Sequence, residues 1–301
     1  MILNKQNIGE FFIGLSAAFK AAYADLTSKT EDWKKVAMVL PSTTSENLYG
    51  WLSRWPKVRK WVGERHLKNL ALNGYRLKNE PFEASTSINL DELDDDSAGM
   101  YAAEVSMGWP DAIASFFESN VFNLLKNGGT NLCFDGTAFF NANHPLTSSD
   151  NVTTLQSNII AGGGAAWYLM RCKGKMKPLI VQDRKAFTFK SVTNVEDGKV
   201  FLTNEAMYGV DGRYAFGYAF WQNALRSNAT LDTAAFDAAY AQMGSLVDEE
   251  GEFLGMKPDT LVCGMSNRAA ALKCIANIKL PGDVDNHNYN AVEVLVVPWL
   301  P

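Results

Sequence analysis

The sequence predicts an elongated α+β fold, and three observations lead to this class. Residues 82–90 alternate between apolar and polar side chains, which is typical of a long, half-buried strand. Residues 97–126 carry apolar side chains at helical spacing, which indicates one long helix. Residues 177–220 contain further strand patterns, so that strands and helices follow one another in mixed order, as they do in α+β folds.

The chain opens on an amphipathic helix rather than on a signal peptide. Polar residues interrupt every apolar run, no basic region precedes them, and no stretch approaches the ~20 apolar residues of a membrane span. The apolar side chains instead recur at helical spacing. They are Ile8, Phe11, Phe12, Leu15, Phe19 and Tyr23.

A tryptophan-rich segment follows at residues 34–63. Trp51, Trp55 and Trp61 fall within eleven residues, with two prolines close by. Such a short segment cannot bury three indole rings by itself. We therefore expect it to lie extended over other parts of the structure or over another subunit, and the alternative is that the tryptophans close a local core.

Residues 65–96 are expected to form a long two-stranded ribbon. Tyr75 and Leu77 give a short strand pattern, and the long alternating run begins at Phe82. Residues 79–81 indicate a break between the two. An isolated ribbon is marginally stable in water, so this one must lie against something. An acidic run at residues 94–96 ends it and suits the start of the next helix.

After the long helix, the second half of the chain is expected to contain both strands and helices. Pro110 should kink or restart the helix, and Gly128-Gly129 should end it. Two strands are predicted at residues 177–192 and 198–210, and Thr230 is predicted to cap a later helix. Alternating aromatic residues mark one further strand face. They are Tyr214, Phe216, Tyr218 and Phe220.

The sequence contains no convincing reaction centre. Cys133, Asp135 and His144 lie within twelve residues, so a cysteine–histidine hydrolase is conceivable. The competing interpretation is a strand that ends in a turn, followed by a loop histidine bonded to the backbone. The glycine run at residues 161–166 lacks the lysine and hydroxyl residues of a phosphate loop, and the four cysteines and three histidines lack zinc spacing. We therefore predict no catalytic residue, cofactor or metal.

The charge balance argues against tight binding of nucleic acid. The chain of 301 residues has a formal net charge of −5, a sequence pI of about 5.3 and no basic block. Recognition of DNA through phosphate contacts needs clustered lysine and arginine side chains. A mildly acidic surface still suits a protein that lies close to DNA without holding it.

Many separated motifs resemble those of the major head subunits of phage Mu and Mu-like prophages, and they cover essentially the whole chain. The matching segments are residues 41–44, 49–51, 61–63, 75–83, 94–96, 134–145, 161–170, 177–185, 208–222 and 294–300. The resemblance implies the Hong Kong 97-type capsid fold. Its parts would be an N-terminal arm region (1–62), an extended E-loop (63–96), a peripheral domain with a long spine helix (97–154), and an axial domain with strands returning to the peripheral domain (155–301).

The resemblance also implies a structural role in the virion rather than an enzymatic one. Copies of the chain would form hexamers and pentamers of an icosahedral shell, assembled in the bacterial cytoplasm around double-stranded DNA. A separate scaffolding protein, a portal and a decoration protein are the implied partners, with no membrane. Some relatives crosslink their subunits through an E-loop lysine, but no motif marks Lys68 or Lys78 as reactive. An encapsulin-like compartment and a Cys133/His144 hydrolase are the alternatives.

The E-loop and the arm are expected to carry the assembly interface. The apolar face of the ribbon would lie on a neighbouring subunit, so that Phe82→Asp or Ile88→Asp should leave the subunit folded but prevent assembly. The predicted interface residues are Tyr75, Leu77, Phe82, Glu83, Ile88, Trp51, Trp55 and Trp61.

Overall fold

A computed structural model describes most of the chain and its helices. The described residues are 5–28, 31–53, 74–95, 104–148, 151–194, 197–280 and 282–301. The helices are α1 (Lys5–Ser28), α2 (Asp32–Val36), α3 (Leu90–Asp95), α4 (Trp109–Asn127), α5 (Gly198–Thr203), α6 (Thr233–Gly244) and α7 (Arg268–Ile275). A π-helical turn at Glu104–Gly108 leads directly into α4. Across these ranges, no helix is long and apolar enough to cross a membrane.

Fifteen strands of the described chain form two main sheets and three strand pairs. The strands are β1 (Ala37–Pro41), β2 (Glu46–Tyr49), β3 (Tyr75–Lys78), β4 (Glu80–Asn89), β5 (His144–Thr147), β6 (Thr153–Gln156), β7 (Ile159–Ile160), β8 (Trp167–Met170), β9 (Leu179–Val192), β10 (Glu205–Tyr218), β11 (Ala224–Ser227), β12 (Thr260–Cys263), β13 (Lys279–Leu280), β14 (Val284–Asp285) and β15 (Glu293–Val296). The sheet orders are β1-β9-β10-β4 and β15-β12-β8-β11-β7, and the pairs are β2-β3, β5-β6 and β13-β14. The α+β class predicted from the sequence is confirmed.

The four-stranded sheet is built on the antiparallel hairpin of β9 and β10, each 14 residues long. At ~3.3 Å per residue, each strand extends for about 45 Å. Strand β4 pairs with β10 in antiparallel fashion, and β1 pairs with β9 in parallel. Helices α1 and α4 cover one face through aromatic contacts. Ring centroids lie 6.2 Å apart for Phe19 and Phe189 and 5.0 Å apart for Phe117 and Tyr214.

The five-stranded sheet forms a second buried layer, and the carboxyl end of α4 joins it to the first. All four residues of β8 and of β12 are buried. The Tyr168 hydroxyl donates to the Leu125 carbonyl at 3.2 Å, and the Tyr218 hydroxyl donates to the Leu124 carbonyl at 2.7 Å. The last carbonyls of a helix have few partners within it, so these tyrosines add hydrogen bonds there, and the Leu125 carbonyl also accepts from the Gly128 amide at 3.4 Å.

The predicted pairing of the ribbon strands is wrong. Strand β3 pairs with β2, in a register that places Tyr49 opposite Tyr75, whereas β4 pairs with β10. Only Asn79 separates β3 from β4, so the chain continues through this point instead of turning back. The two strands cannot form a hairpin with each other, because a hairpin needs a turn that reverses the chain between them.

Two other local expectations are also wrong, whereas the expected restart near Pro110 and the expected end of the long helix are confirmed. Gly198–Thr203 is helical rather than extended, because Asp197 caps its first turn and Asn204 ends it in a left-handed conformation with φ of 52°. Asp232, not Thr230, caps α6 by accepting a hydrogen bond from the Ala235 amide. Of the long helix expected over residues 97–126, residues 97–103 lie outside the described part of the chain. From Glu104 the chain forms the π-helical turn and then α4, which has Pro110 in its first turn and ends at Asn127, next to the glycine pair expected to end it.

Candidate assembly surfaces

Strands β2 and β3 form a hairpin that is separate from the two main sheets and exposes one of its faces. Its strands pair over four residues each, and residues 50–74 connect them, with 54–73 outside the described residues. On the outer face, Arg76 and Glu46 form an exposed ion pair at 3.3 Å. Leu48 lies opposite Arg76 and is 52% exposed. The hairpin therefore presents an exposed leucine beside a pair of opposite charges.

The inner face of the hairpin packs on the four-stranded sheet of its own chain. Gly217 on β10 makes this close approach possible, because a Cβ atom there would lie 2.5 Å from Leu77 Cδ2. The hairpin and the sheet share one small apolar cluster. Its buried members are Tyr49, Leu52, Leu77, Ile180, Ala215, Ala219 and Phe220.

Tyr75 ties the second strand of the hairpin to the same sheet. Its side chain is partly buried, and its hydroxyl accepts a hydrogen bond from the Tyr218 amide at 3.3 Å. Burial raises the pKa of Tyr75 to about 12, so the hydroxyl stays neutral. The residue acts as an anchor for the hairpin within its own subunit.

The structure separates the predicted interface residues of the ribbon into two groups. Tyr75 and Leu77 lie on the hairpin, whereas Phe82, Glu83 and Ile88 lie on β4 in the body sheet. Ile88 is only 1% exposed, and Phe82 packs on the Phe116 ring with centroids 4.7 Å apart. The expectation that Ile88→Asp leaves the subunit folded is therefore wrong, because the apolar partners of Ile88 lie in its own chain.

The other predicted interface residues remain predictions. Glu83 is exposed on the outer face of β4. Trp51 belongs to a 3₁₀ turn at Gly50–Ser53, and Trp55 and Trp61 lie outside the described residues. The sequence reasoning missed Leu48 and its strand. Residues 46–49 carry two polar residues followed by two apolar ones, so no alternation marks the strand, and the local signal was the serine- and threonine-rich turn that precedes it.

The Cys133–Asp135–His144 group is a buried structural cluster. The Cys133 thiol donates to Asp135 Oδ1 at 3.1 Å, and His144 Nδ1 lies 2.6 Å from Asp135 Oδ2. Thr137 donates to the same carboxylate through its amide and its hydroxyl, both at 2.9 Å. Burial would raise the pKa of Asp135, but the hydrogen bonds from His144 and Thr137 outweigh it and lower that pKa.

The second ring nitrogen of His144 also has a side-chain partner. The Asn158 amide group donates to the carbonyls of Phe139 at 2.8 Å and Ala224 at 3.1 Å, which makes its oxygen the acceptor. That oxygen lies 3.1 Å from His144 Nε2. The ring stacks on Trp221 at a centroid distance of 4.0 Å, so the imidazole is fixed by contacts on its face and at both nitrogens.

This arrangement opposes hydrolase chemistry. A general base must reach its substrate, whereas His144 is fully buried and both of its nitrogens lie against side-chain oxygens of Asp135 and Asn158. Burial, reinforced by the charge of Asp135, raises the pKa of the Cys133 thiol far above its usual value. Within the described residues this is the single group of side chains close enough to ligate a metal, and its atoms already bond one another. The cluster joins loop segments and carries no reaction.

A comparison with protein families matches residues 8–300 to the model of the Mu-like prophage major head subunit gpT. The major capsid protein of Escherichia phage Mu is 31% identical over 311 aligned positions, which cover 100% of both chains. The Mu-like prophage FluMu major head subunit of Haemophilus influenzae is 30% identical and aligns over 88% of this chain and 87% of its own.

Solved structures of phage heads share the fold. A chain from the procapsid of bacteriophage JBD30 superposes with a TM-score of 0.85 and 33% identity, covering 99% of this chain and 100% of that one. A chain from the JBD30 capsid superposes with a TM-score of 0.76 and 26% identity, covering 89% and 90%. A chain from the JBD30 capsid decorated with minor capsid protein trimers gives a TM-score of 0.73, with the same identity and coverage.

Proposed function

Because this chain belongs to the family of Mu-like prophage major head subunits, we propose that its β2–β3 hairpin is a surface through which one subunit contacts the next. The chain is a major capsid protein of the Hong Kong 97 type, whose copies build the icosahedral shell of a phage head. It is a structural protein of the virion and not an enzyme. The same membership favours a phage head over an encapsulin-like compartment.

The observation that carries the proposal is that Leu48 is exposed on a hairpin whose base is packed against its own sheet. The root packs on its own sheet through buried Leu77 and Tyr49, while Leu48 remains 52% exposed. A large apolar side chain beside the Arg76–Glu46 pair suits a contact with an apolar core and a polar rim. We therefore propose that the E-loop spans residues 46–78 instead of 63–96.

Modest contacts at this hairpin suffice for a shell. Each subunit of a hexamer or pentamer makes and receives the same contact, so weak contacts reinforce one another within a closed assembly. We further propose a separate scaffolding protein and a portal as partners during assembly. The JBD30 capsid carries minor capsid protein trimers, and we propose a similar decoration protein here.

Leu48→Asp tests the role of the hairpin. We expect the variant subunit to fold, because this side chain is largely exposed, but to yield at least about tenfold fewer closed shells. Negative-stain microscopy and light scattering of the subunit co-expressed with its head-assembly proteins measure the yield.

Leu155→Asp is the matched control, because Leu155 is 60% exposed on the β5–β6 hairpin. We expect this variant to assemble normally. Normal shells from Leu48→Asp would overturn the proposal, and an equal loss in both variants would show that any new surface carboxylate disturbs the shell.

A further inference from the structure

Hydrogen bonds of the Gln182 side chain, on β9, join the base of the β2–β3 hairpin to the four-stranded sheet. We call this base, formed by Tyr49, Leu77 and Asn79, the hairpin root, and the four-stranded sheet the body sheet. The Tyr49 hydroxyl donates to Gln182 Oε1 at 2.6 Å. The Gln182 amide group donates to Asn79 Oδ1 at 2.7 Å and to the Leu77 carbonyl at 3.3 Å. Gln182 is fully buried, so one body residue bonds both hairpin strands and the residue that follows them.

Asn79 extends the network to the turn that precedes the hairpin. Its amide group donates to Ser42 Oγ and to the Thr44 carbonyl, both at 2.9 Å. Ser42 in turn donates to Asn47 Oδ1 at 2.9 Å. Asn79 is 3% exposed and lies where the chain leaves the hairpin at the end of β3 and enters the body sheet as β4. It therefore occupies the hinge position of the hairpin.

The hydrogen bonds at the hinge position can fix the angle of the hairpin, which the apolar cluster under the hairpin cannot do. Apolar contacts hold the hairpin against the sheet but tolerate small rotations, because they have little directional preference. Hydrogen bonds weaken steeply when their angles change, and buried polar groups that lose a partner are costly. A fully bonded Gln182 consequently favours one angle between the hairpin and the body.

We propose that Gln182 is a positioning residue that sets the angle at which the hairpin leaves the body, and thereby aligns it for the neighbouring subunit. The alignment part rests on the proposed role of the hairpin in assembly. The positioning part rests only on contacts within one subunit. Gln182 itself reaches no outer surface of the described chain, so its effect on assembly acts through the hairpin.

Gln182→Met tests both parts, because methionine matches the length of glutamine but neither accepts from Tyr49 nor donates to Asn79. We expect amide hydrogen exchange in residues 46–49 and 75–78 to rise by about tenfold or more, while exchange in β9 and β10 stays unchanged. In assembly with the partner proteins, we expect fewer closed shells and more irregular ones. Tyr49→Phe removes only the hydrogen bond from the Tyr49 hydroxyl to Gln182 and should give a smaller effect of the same kind.

Gln242→Met is the control, because Gln242 donates to the carbonyls of Ser157 and Ile159 far from the hairpin. It should leave both hairpin exchange and shells unchanged. Unchanged hairpin exchange in Gln182→Met would overturn the positioning role, and so would an equal rise throughout β9 and β10. Faster hairpin exchange with normal shells would overturn the alignment role. If Leu48→Asp assembles normally but Gln182→Met still loosens the hairpin, the proposed function fails while the positioning role stands.

Discussion

Burial decides the chemistry of individual residues in this protein. Cysteine, aspartate and histidine within twelve residues are compatible with a nucleophile or with a structural cluster, and the sequence cannot distinguish them. In the folded chain His144 is fully buried, and each of its ring nitrogens has an acceptor. The energetic role of the pair is therefore to stabilise the loop around residues 133–144.

Removing His144 should be strongly destabilising. His144→Ala leaves the buried Asp135 carboxylate without its histidine partner, and depriving a buried charged group of a hydrogen bond costs about 3 kcal/mol. We expect the free energy of unfolding of the purified subunit, measured in urea, to fall by that amount.

The exposed pair of His287 and Asp237 is the matched control. Their side chains are 62% and 43% exposed, so His287→Ala should change the free energy of unfolding by at most about 1 kcal/mol. Equal effects of the two substitutions would contradict the structural role of the buried pair.

Asp211 should give the subunit a measurable acid dependence. Hydrogen bonds from Lys185, opposed in part by burial and aided by Lys190, lower the pKa of Asp211 to about 2. A lowered pKa stabilises the folded state above the unfolded value of about 3.9, and this stabilisation disappears as pH falls toward about 2.

Asp211→Asn should therefore reduce the free energy of unfolding at pH 7 by up to about 1 kcal/mol, a small value because the group is partly exposed. The difference from the natural subunit should vanish near the pH at which Asp211 is protonated. Urea unfolding curves across the acid range measure it, and a constant difference at every pH would contradict the assignment.

At the scale of elements, β3 and β4 show how one continuous strand can serve two sheets. The chain runs without reversal from Tyr75 to Asn89, pairing first with β2 and then with β10. The alternation at Phe82 to Ile88 is real, but its apolar side faces α1 and α4 of the same subunit. A half-buried pattern identifies a strand with one covered face and does not identify what covers it.

Ile88→Ala should destabilise the subunit by about 2–5 kcal/mol, because it leaves a cavity in the core. Glu83→Ala on the same strand removes an exposed side chain and should stay within about 0.5 kcal/mol of the natural protein. Denaturant unfolding of both variants compares them directly. A small effect of Ile88→Ala would restore the interpretation that its face covers a neighbouring subunit.

At the scale of the whole molecule, the net charge of −5 matches a shell protein that encloses DNA without holding it. Sequence-independent DNA binding depends on counterion release by clustered lysine and arginine side chains. We propose that packaged DNA contacts the inner surface only through proximity.

The purified subunit should bind a short labelled duplex more weakly than about 100 μM at physiological salt, as measured by fluorescence anisotropy. A basic DNA-binding peptide on the same duplex is the positive control. Micromolar binding that weakens steeply with added salt would reveal a hidden basic surface and contradict the prediction.

Much of the local structure could be predicted, and much of the candidate site could not. Helix α4 and the stripe of α1 followed from apolar spacing, because each turn of a helix returns side chains to the same face. Strand β2 is only four residues long and too short for a periodic signal. The role of Gln182 could not be predicted from its place in the strand, because its bonds reach residues more than 100 positions away.

The sequence by itself determined the α+β class, the family resemblance, most element positions and the lack of a basic block along the chain. These properties depend on local spacing or on composition. Only the tertiary structure decided that β3 pairs with β2, that β4 belongs to the body, and that Asn79 and Gln182 meet at the hairpin root. The physical reason is that strand pairing and buried polar contacts join distant positions, and periodicity along the chain does not specify the partner.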